Sequence, residues 1–270
     1  MLKTLCYCCL TTISFTLIAN VGEPVQNSTN QNSNNIVVKP FKAEYTILHK
    51  SSPVGTGVRE LKKLDNGLIE YSYHTDIEWL IFSDTRKETS TVSLADNQVV
   101  PTLYHYERSG TGRDKEYQWR FDTANNKAFD MKKKREKNID FPINIQDKLS
   151  YHLQNRLNLI QNPTQKHFVY PVISTSGNIK NYVYQYDGEE DIMLPYGLVK
   201  TIKLKREVVE KNRITYAWFA PELDYLMVKL YQAKSGVEQF EAQLNKLTIE
   251  VDDVDTKNSS IINSEVTPNQ

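Results

Sequence analysis

From about residue 41 to residue 250, apolar and polar positions alternate with a period of two. Phe41, Ala43, Tyr45 and Ile47 are interleaved with Lys42, Glu44 and Thr46. Tyr117, Trp119 and Phe121 alternate with Glu116, Gln118, Arg120 and Asp122. Tyr182, Tyr184 and Tyr186 alternate with Asn181, Val183, Gln185 and Asp187. Successive strand side chains point to opposite faces, so this pattern predicts antiparallel strands with one covered face and one wet face. Turn signals separate the runs at Asp65-Asn66-Gly67, Ser109-Gly110, Ser176-Gly177-Asn178, Asp187-Gly188, Tyr196-Gly197 and Ser235-Gly236.

One segment breaks the period. Leu149, Leu153, Leu157 and Ile160 recur at helical spacing after Asp147, and Asn162-Pro163 stops the run. This predicts an amphipathic helix over 147–160 whose apolar stripe must be covered. The chain therefore reads as two β stretches, about 41–133 and 165–250, around one helix. A long sheet with one wet face twists and curls or splits in two. The expected fold is mainly β: a strongly curved antiparallel sheet, an open or half-closed barrel, wrapped around the amphipathic helix. A two-sheet sandwich is the alternative.

The flanks differ in composition. Residues 1–19 combine a short basic start, Met1-Leu2-Lys3, with an uncharged apolar run from Leu5 to Ala19, as in a secretory signal. That run is too short for a comfortable membrane span. Residues 20–36 and the tail 252–270 are polar and predict disorder, leaving 37–251 as a single β-rich domain. Cys6, Cys8 and Cys9 all lie in the leader, so an exported product would carry no thiol and no disulfide. They stand too early in the apolar run for a lipobox. The expectation is a periplasmic protein with no stable membrane span after processing.

Charge adds little. Lys and Arg total 33 and so do Asp and Glu, which gives no field to draw the chain to nucleic acid. With 16 Tyr, 9 Phe and 3 Trp, the aromatic content matters more, because tyrosine suits half-wet strands and pocket walls. His49, His74, His105, His152 and His167 show no metal-ligand spacing, and no Gly-x-Ser-x-Gly elbow or phosphate loop occurs. No catalytic residue, metal site or cofactor is expected. The basic run 132–137 reads as a solvated loop or strand edge, and the acidic run 187–191 as a solvated turn. If the aromatic stripes line a cavity, Tyr182, Tyr184, Tyr186, Tyr117 and Trp119 are its candidate ligand-binding residues.

Several blocks, in order, resemble a known exported bacterial family. They are Phe41-Lys42-Ala43-Glu44-Tyr45 with Gly55 and Gly57, then Glu88-Thr89, then Pro101 with Tyr104 and Tyr106. Phe121-Asp122, Asp147 with Ser150-Tyr151, Gly197 through Arg206, and Tyr216 through Lys229 follow. The family is domain of unknown function 3108, and it brings no catalytic residues to transfer. The Trp218–Lys229 hairpin is also similar to the periplasmic lipoprotein carriers, whose curved sheet encloses an acyl chain. The expected function, which this likeness only ranks first, is a non-enzymatic periplasmic protein that binds an apolar or amphipathic, lipid-like envelope component in a β concavity. The alternatives are an envelope scaffold without ligand and, third, a hydrolase on envelope glycan or lipid. Nothing in the pattern selects an oligomeric state.

Overall fold

The computed structural model describes residues 36–250. The leader at 1–19, nearly all of the 20–36 linker and the tail lie outside them. The chain enters the fold as eight strands in a meander. These are β1 (Phe41–His49), β2 (Ser52–Lys63), β3 (Ile69–Trp79), β4 (Phe82–Ala95), β5 (Gln98–Gly110), β6 (Lys115–Asp122), β7 (Lys127–Asp130) and β8 (Arg135–Asn138). The helix α1 (Ser150–Gln161) follows. Six further strands follow among the described residues: β9 (His167–Ile173), β10 (Ile179–Leu194), β11 (Gly197–Val208), β12 (Arg213–Ala220), β13 (Leu226–Lys234) and β14 (Val237–Ile249).

All 14 strands form one antiparallel sheet, in the order β8-β7-β6-β5-β4-β3-β2-β1-β14-β13-β12-β11-β10-β9. Every neighbour pair is a sequence neighbour except β1 with β14, which join the two meanders from Phe41↔Ile249 to Leu48↔Glu241. The sheet stays open, with β8 and β9 as its edges. The linker before α1 bridges them: Gln146 N donates to Pro171 O and Ile173 N to Gln146 O, both at 2.8 Å. Trp119 Nε1 on β6 donates to Thr175 O at 3.3 Å, and Lys137 Nζ on β8 to Gly177 O at 3.0 Å. The curled sheet is thus latched by side chains and a loop where a closed barrel would have a strand ladder.

The helix forms where the periodicity places it. Leu149, Leu153 and Leu157 are fully buried and Ile160 partly so. It begins at Ser150 because Asp147 is occupied in starting it. Its Oδ1 accepts the backbone N–H of Leu149 and Ser150 at 2.8 and 2.7 Å, satisfying otherwise orphaned donors. Its burial exceeds that of a one-sided stripe: Gln154 and Asn155 are buried as well. Both are hydrogen-bonded, as buried amides must be: Gln154 Oε1 accepts Val99 N at 2.7 Å, and Asn155 Oδ1 accepts the Tyr170 hydroxyl at 2.8 Å.

Two local expectations change. Asp187-Gly188 is no turn. Gly188 takes φ +115° at a bulge inside β10, where the register shifts between Tyr186 and Glu189. The acidic run therefore lies in a strand, with Asp187 and Glu190 both beside Lys203. The basic run is, as read, an exposed turn leading into the edge strand β8 at Arg135.

Candidate functional site: the concave face

Strand pairing defines which side chains share the concave face. From the helix outward, β3 and β4 contribute the rungs Tyr71/Ser90, Tyr73/Glu88, Thr75/Arg86, Ile77/Asp84 and Trp79/Phe82. The rungs nearest α1 are sealed. Ser90 Oγ donates to the Asp147 carboxylate, and the Tyr104 hydroxyl to Glu88. Burial pushes the Asp147 carboxyl up to about 6, against the opposing pull of its hydrogen bonds.

Midway up the face sits Arg59, 3% exposed, between Gly57 and Leu61 on the inward side of β2. Its guanidinium lies 5.6 and 5.3 Å from the ring centroids of Tyr71 and Tyr73, and Nη1 donates to the Tyr71 hydroxyl at 3.0 Å. Its Nε has no partner. On the opposite wall Arg206 covers the Tyr182 ring at 3.6 Å. Among the described residues neither arginine forms an ion pair, whereas Arg86 and Arg108 both bind Asp84. His152, on α1, senses both. Desolvation first, then the charges of Arg59 and Arg206, hold its imidazole well below the ordinary histidine range. The ring is therefore neutral at neutral pH. Aromatic faces and phenol oxygens offset part of the cost of keeping the arginines from water.

Burial raises the phenols that surround them. The Tyr45 hydroxyl donates to Met227 O at 2.7 Å and is held well above the usual tyrosine range. Tyr151 and Tyr184 are likewise raised, with their hydroxyls 3.4 Å apart. All of these phenols stay protonated and act as donors or neutral walls.

The candidate ligand residues separate into two sets. Tyr182, Tyr184 and Tyr186 share the inward face of β10, opposite Tyr170, Phe168 and Leu204. Tyr184 is fully buried against Tyr151 and fills the core, while Tyr182 is half-buried under Arg206. Tyr186 is covered by Lys166, 3.1 Å above its ring. Tyr117 and Trp119 stand on β6, near the other edge: Trp119 is spent on the edge latch, and Tyr117 packs by Tyr106 at 6.0 Å. No ring contact links the two sets.

A cleft of about 650 Å³ opens at the β10–β11 wall, lined by Tyr182, Arg206, Lys180 and Arg213 among others. Another, of about 480 Å³, includes Tyr73 and Glu88 but is otherwise walled largely by outward chains such as Lys42, Glu60 and Lys87. Tyr184, Tyr117 and Trp119 line neither.

Two features escape sequence reading. Cross-strand pairing gathers His105, Glu107 and Glu116, with ligand atoms within 4.8 Å, on the outward face of β5 and β6. Lys132 already holds Glu116 at 2.7 Å and keeps its carboxyl below the usual range. The other is Arg59, although the alternation Gly57-x-Arg59-x-Leu61 carried the signal that an arginine points inward.

Comparison with known proteins places the chain by family and by fold. The family described as "Protein of unknown function (DUF3108)" matches residues 52–243, and the chain belongs to it. A β-barrel-like protein of domain of unknown function DUF1849 from Brucella abortus is similar in fold. Its TM-score is 0.55 at 9% identity, over 80% of this chain and 100% of that one. A protein of Parabacteroides distasonis described as a candidate lipoprotein has a TM-score of 0.31 at 8% identity, over 78% of this chain and 96% of that one. At that score the likeness carries no argument. No curated protein matches. Among the described residues, no helix is long and apolar enough to cross a membrane.

Proposed function

We propose that this member of a family of unknown function is a non-enzymatic periplasmic protein that binds an amphipathic, lipid-like envelope component in its concavity, with the polar head anionic. The observation that carries this reading is the unpaired Arg59, buried between aromatic rings, with Arg206 and Tyr182 across the face. Ion pairing is the ordinary way to stabilise a buried guanidinium. An anionic head would fill that role here, with the phenols supplying hydrogen bonds and apolar wall. The signal-like leader supports the compartment.

The test is native mass spectrometry of protein recovered from cells, followed by titration with a fluorescent fatty acid. A co-purified anionic amphiphile and saturable binding at tens of micromolar, roughly −6 kcal/mol, are expected. Arg59→Met keeps the aliphatic volume and removes the charge. It should weaken binding at least tenfold while stability stays within about 1 kcal/mol of the parent or rises, since an unpaired buried charge is lost. Equal affinity in the variant would overturn Arg59 as the seat of the anionic head, and no saturable binding at all would leave the second reading: a ligand-free envelope scaffold. The observation favouring that reading is the ring-filled interior around Tyr151, Tyr170 and Tyr184.

A further inference from the structure

The turn between β3 and β4 is built against the rule for its class. The two-residue turns at Lys50-Ser51, Asp96-Asn97 and Ser235-Gly236 use polar residues or glycine where the backbone takes positive φ. The β3–β4 turn uses Leu80 and Ile81, with Leu80 at φ +55°. A leucine there is strained, and turns of this kind prefer Gly, Asn or Asp. The two side chains are 85% and 84% exposed, so no packing within the fold compensates. The closing pair Trp79↔Phe82 adds two half-exposed aromatic rings.

This apolar tip is held firmly. Trp79 packs against His49, with ring centroids 5.0 Å apart. Thr111 Oγ1 accepts Ser83 N at 2.8 Å, and Thr111 N donates to Ser83 O at 2.9 Å. Gly110 lets that neighbouring turn approach, since a Cβ there would stand 2.2 Å from Ser83 O. The flanking segments carry exposed Lys50 on one side and exposed Arg113, Asp114 and Lys115 on the other, with exposed Glu78 on β3 itself.

We infer that the Trp79-Leu80-Ile81-Phe82 tip is a membrane-contact element, which seats the open end of the sheet on a phospholipid bilayer. Size and shape select that occupant. A stable protein interface or dimer draws on about 20–30 residues a side. Four side chains on a convex hairpin fall far short of that. Peripheral insertion needs only a small apolar area at acyl depth, aromatic rings at the headgroup boundary and long cations at the phosphates. Leu80 and Ile81, then Trp79 and Phe82, then Lys50, Arg113 and Lys115 supply those three levels. Position agrees: Trp79/Phe82 is the outermost rung of the inward ladder that descends through Ile77/Asp84 to Tyr73/Glu88 beside Arg59. The inference stands whether or not the concavity holds a ligand.

Tryptophan emission reads the tip directly. Trp119 and Trp218 are 2% and 7% exposed, so Trp79 is the ring free to respond. Purified protein is titrated with vesicles of phosphatidylethanolamine and phosphatidylglycerol carrying brominated acyl chains. A blue shift with quenching is expected. The double variant Leu80→Gly, Ile81→Asn suits the turn better, so its melting temperature should equal or exceed the parent's, while vesicle quenching falls at least tenfold. No quenching of the parent, or equal quenching in the variant, overturns the inference. So does a parent that dimerises through the tip at micromolar concentration without binding vesicles, which would make a second copy of the chain the occupant.

Discussion

Asp147 connects the start of the helix to the sheet and makes stability sensitive to pH. In the unfolded chain its carboxyl titrates near 3.9, and in the fold burial moves it up to about 6. The folded state therefore holds the proton more tightly. Its contribution is fully present below about pH 4 and is lost as pH rises through 6, by about 3 kcal/mol for the shift cited. Asp147→Asn retains an acceptor for the N–H groups of Leu149 and Ser150 and can donate to Ser90. Urea unfolding at pH 4.5 and pH 7 should show the parent losing stability relative to this variant at the higher pH. An unchanged difference between the two would show that the hydrogen bonds to the ionised carboxylate cancel its burial, and one of opposite sign that they outweigh it.

At the scale of elements, the helix is the part most exposed to a simple test. Leu153 is fully buried beneath the sheet, so Leu153→Ala should cost about 2–5 kcal/mol in denaturant unfolding. A cost within about 0.5 kcal/mol would place the helix outside the core. This element was legible because its period differs from that of every neighbour, and Pro163 marks its end. The strands were legible for the same reason, and Tyr182, Tyr184 and Tyr186 do share one face. What stayed hidden depends on lateral neighbours. Gly188 reads identically in a turn and in a bulge, and only the pairing of β10 with β11 decides between them. His105 meets Glu116 only because β5 and β6 pair in one register. Tyr182 and Tyr117 carry the same alternation, yet the strand order sets them near opposite edges.

For the whole molecule, the seam between β1 and β14 and the latch between the two sheet edges have different strengths. The seam is a strand ladder supported by the Tyr45 hydroxyl on Met227 O, with a buried row of Ala43, Tyr45 and Ile47 beneath it. The latch rests on the Gln146–Val172 bridge, Trp119 on Thr175 and Lys137 on Gly177. Breaking the latch leaves every ladder of the sheet intact, so the edges can part at a free energy below that of global unfolding. Trp119→Phe keeps a ring in the core, removes the hydrogen bond to Thr175 and should cost about 0.5–1.5 kcal/mol for that bond, plus a packing term for the smaller ring. Hydrogen exchange should then quicken in 171–178 and in β8, with β1 and β14 protected as in the parent once the global change is subtracted. Uniform acceleration across the sheet would mean that the edges and the seam unfold as one unit. In that case the concavity could admit a guest only through its open rim, past Trp79 and Phe82, because the side between the edges would never open alone.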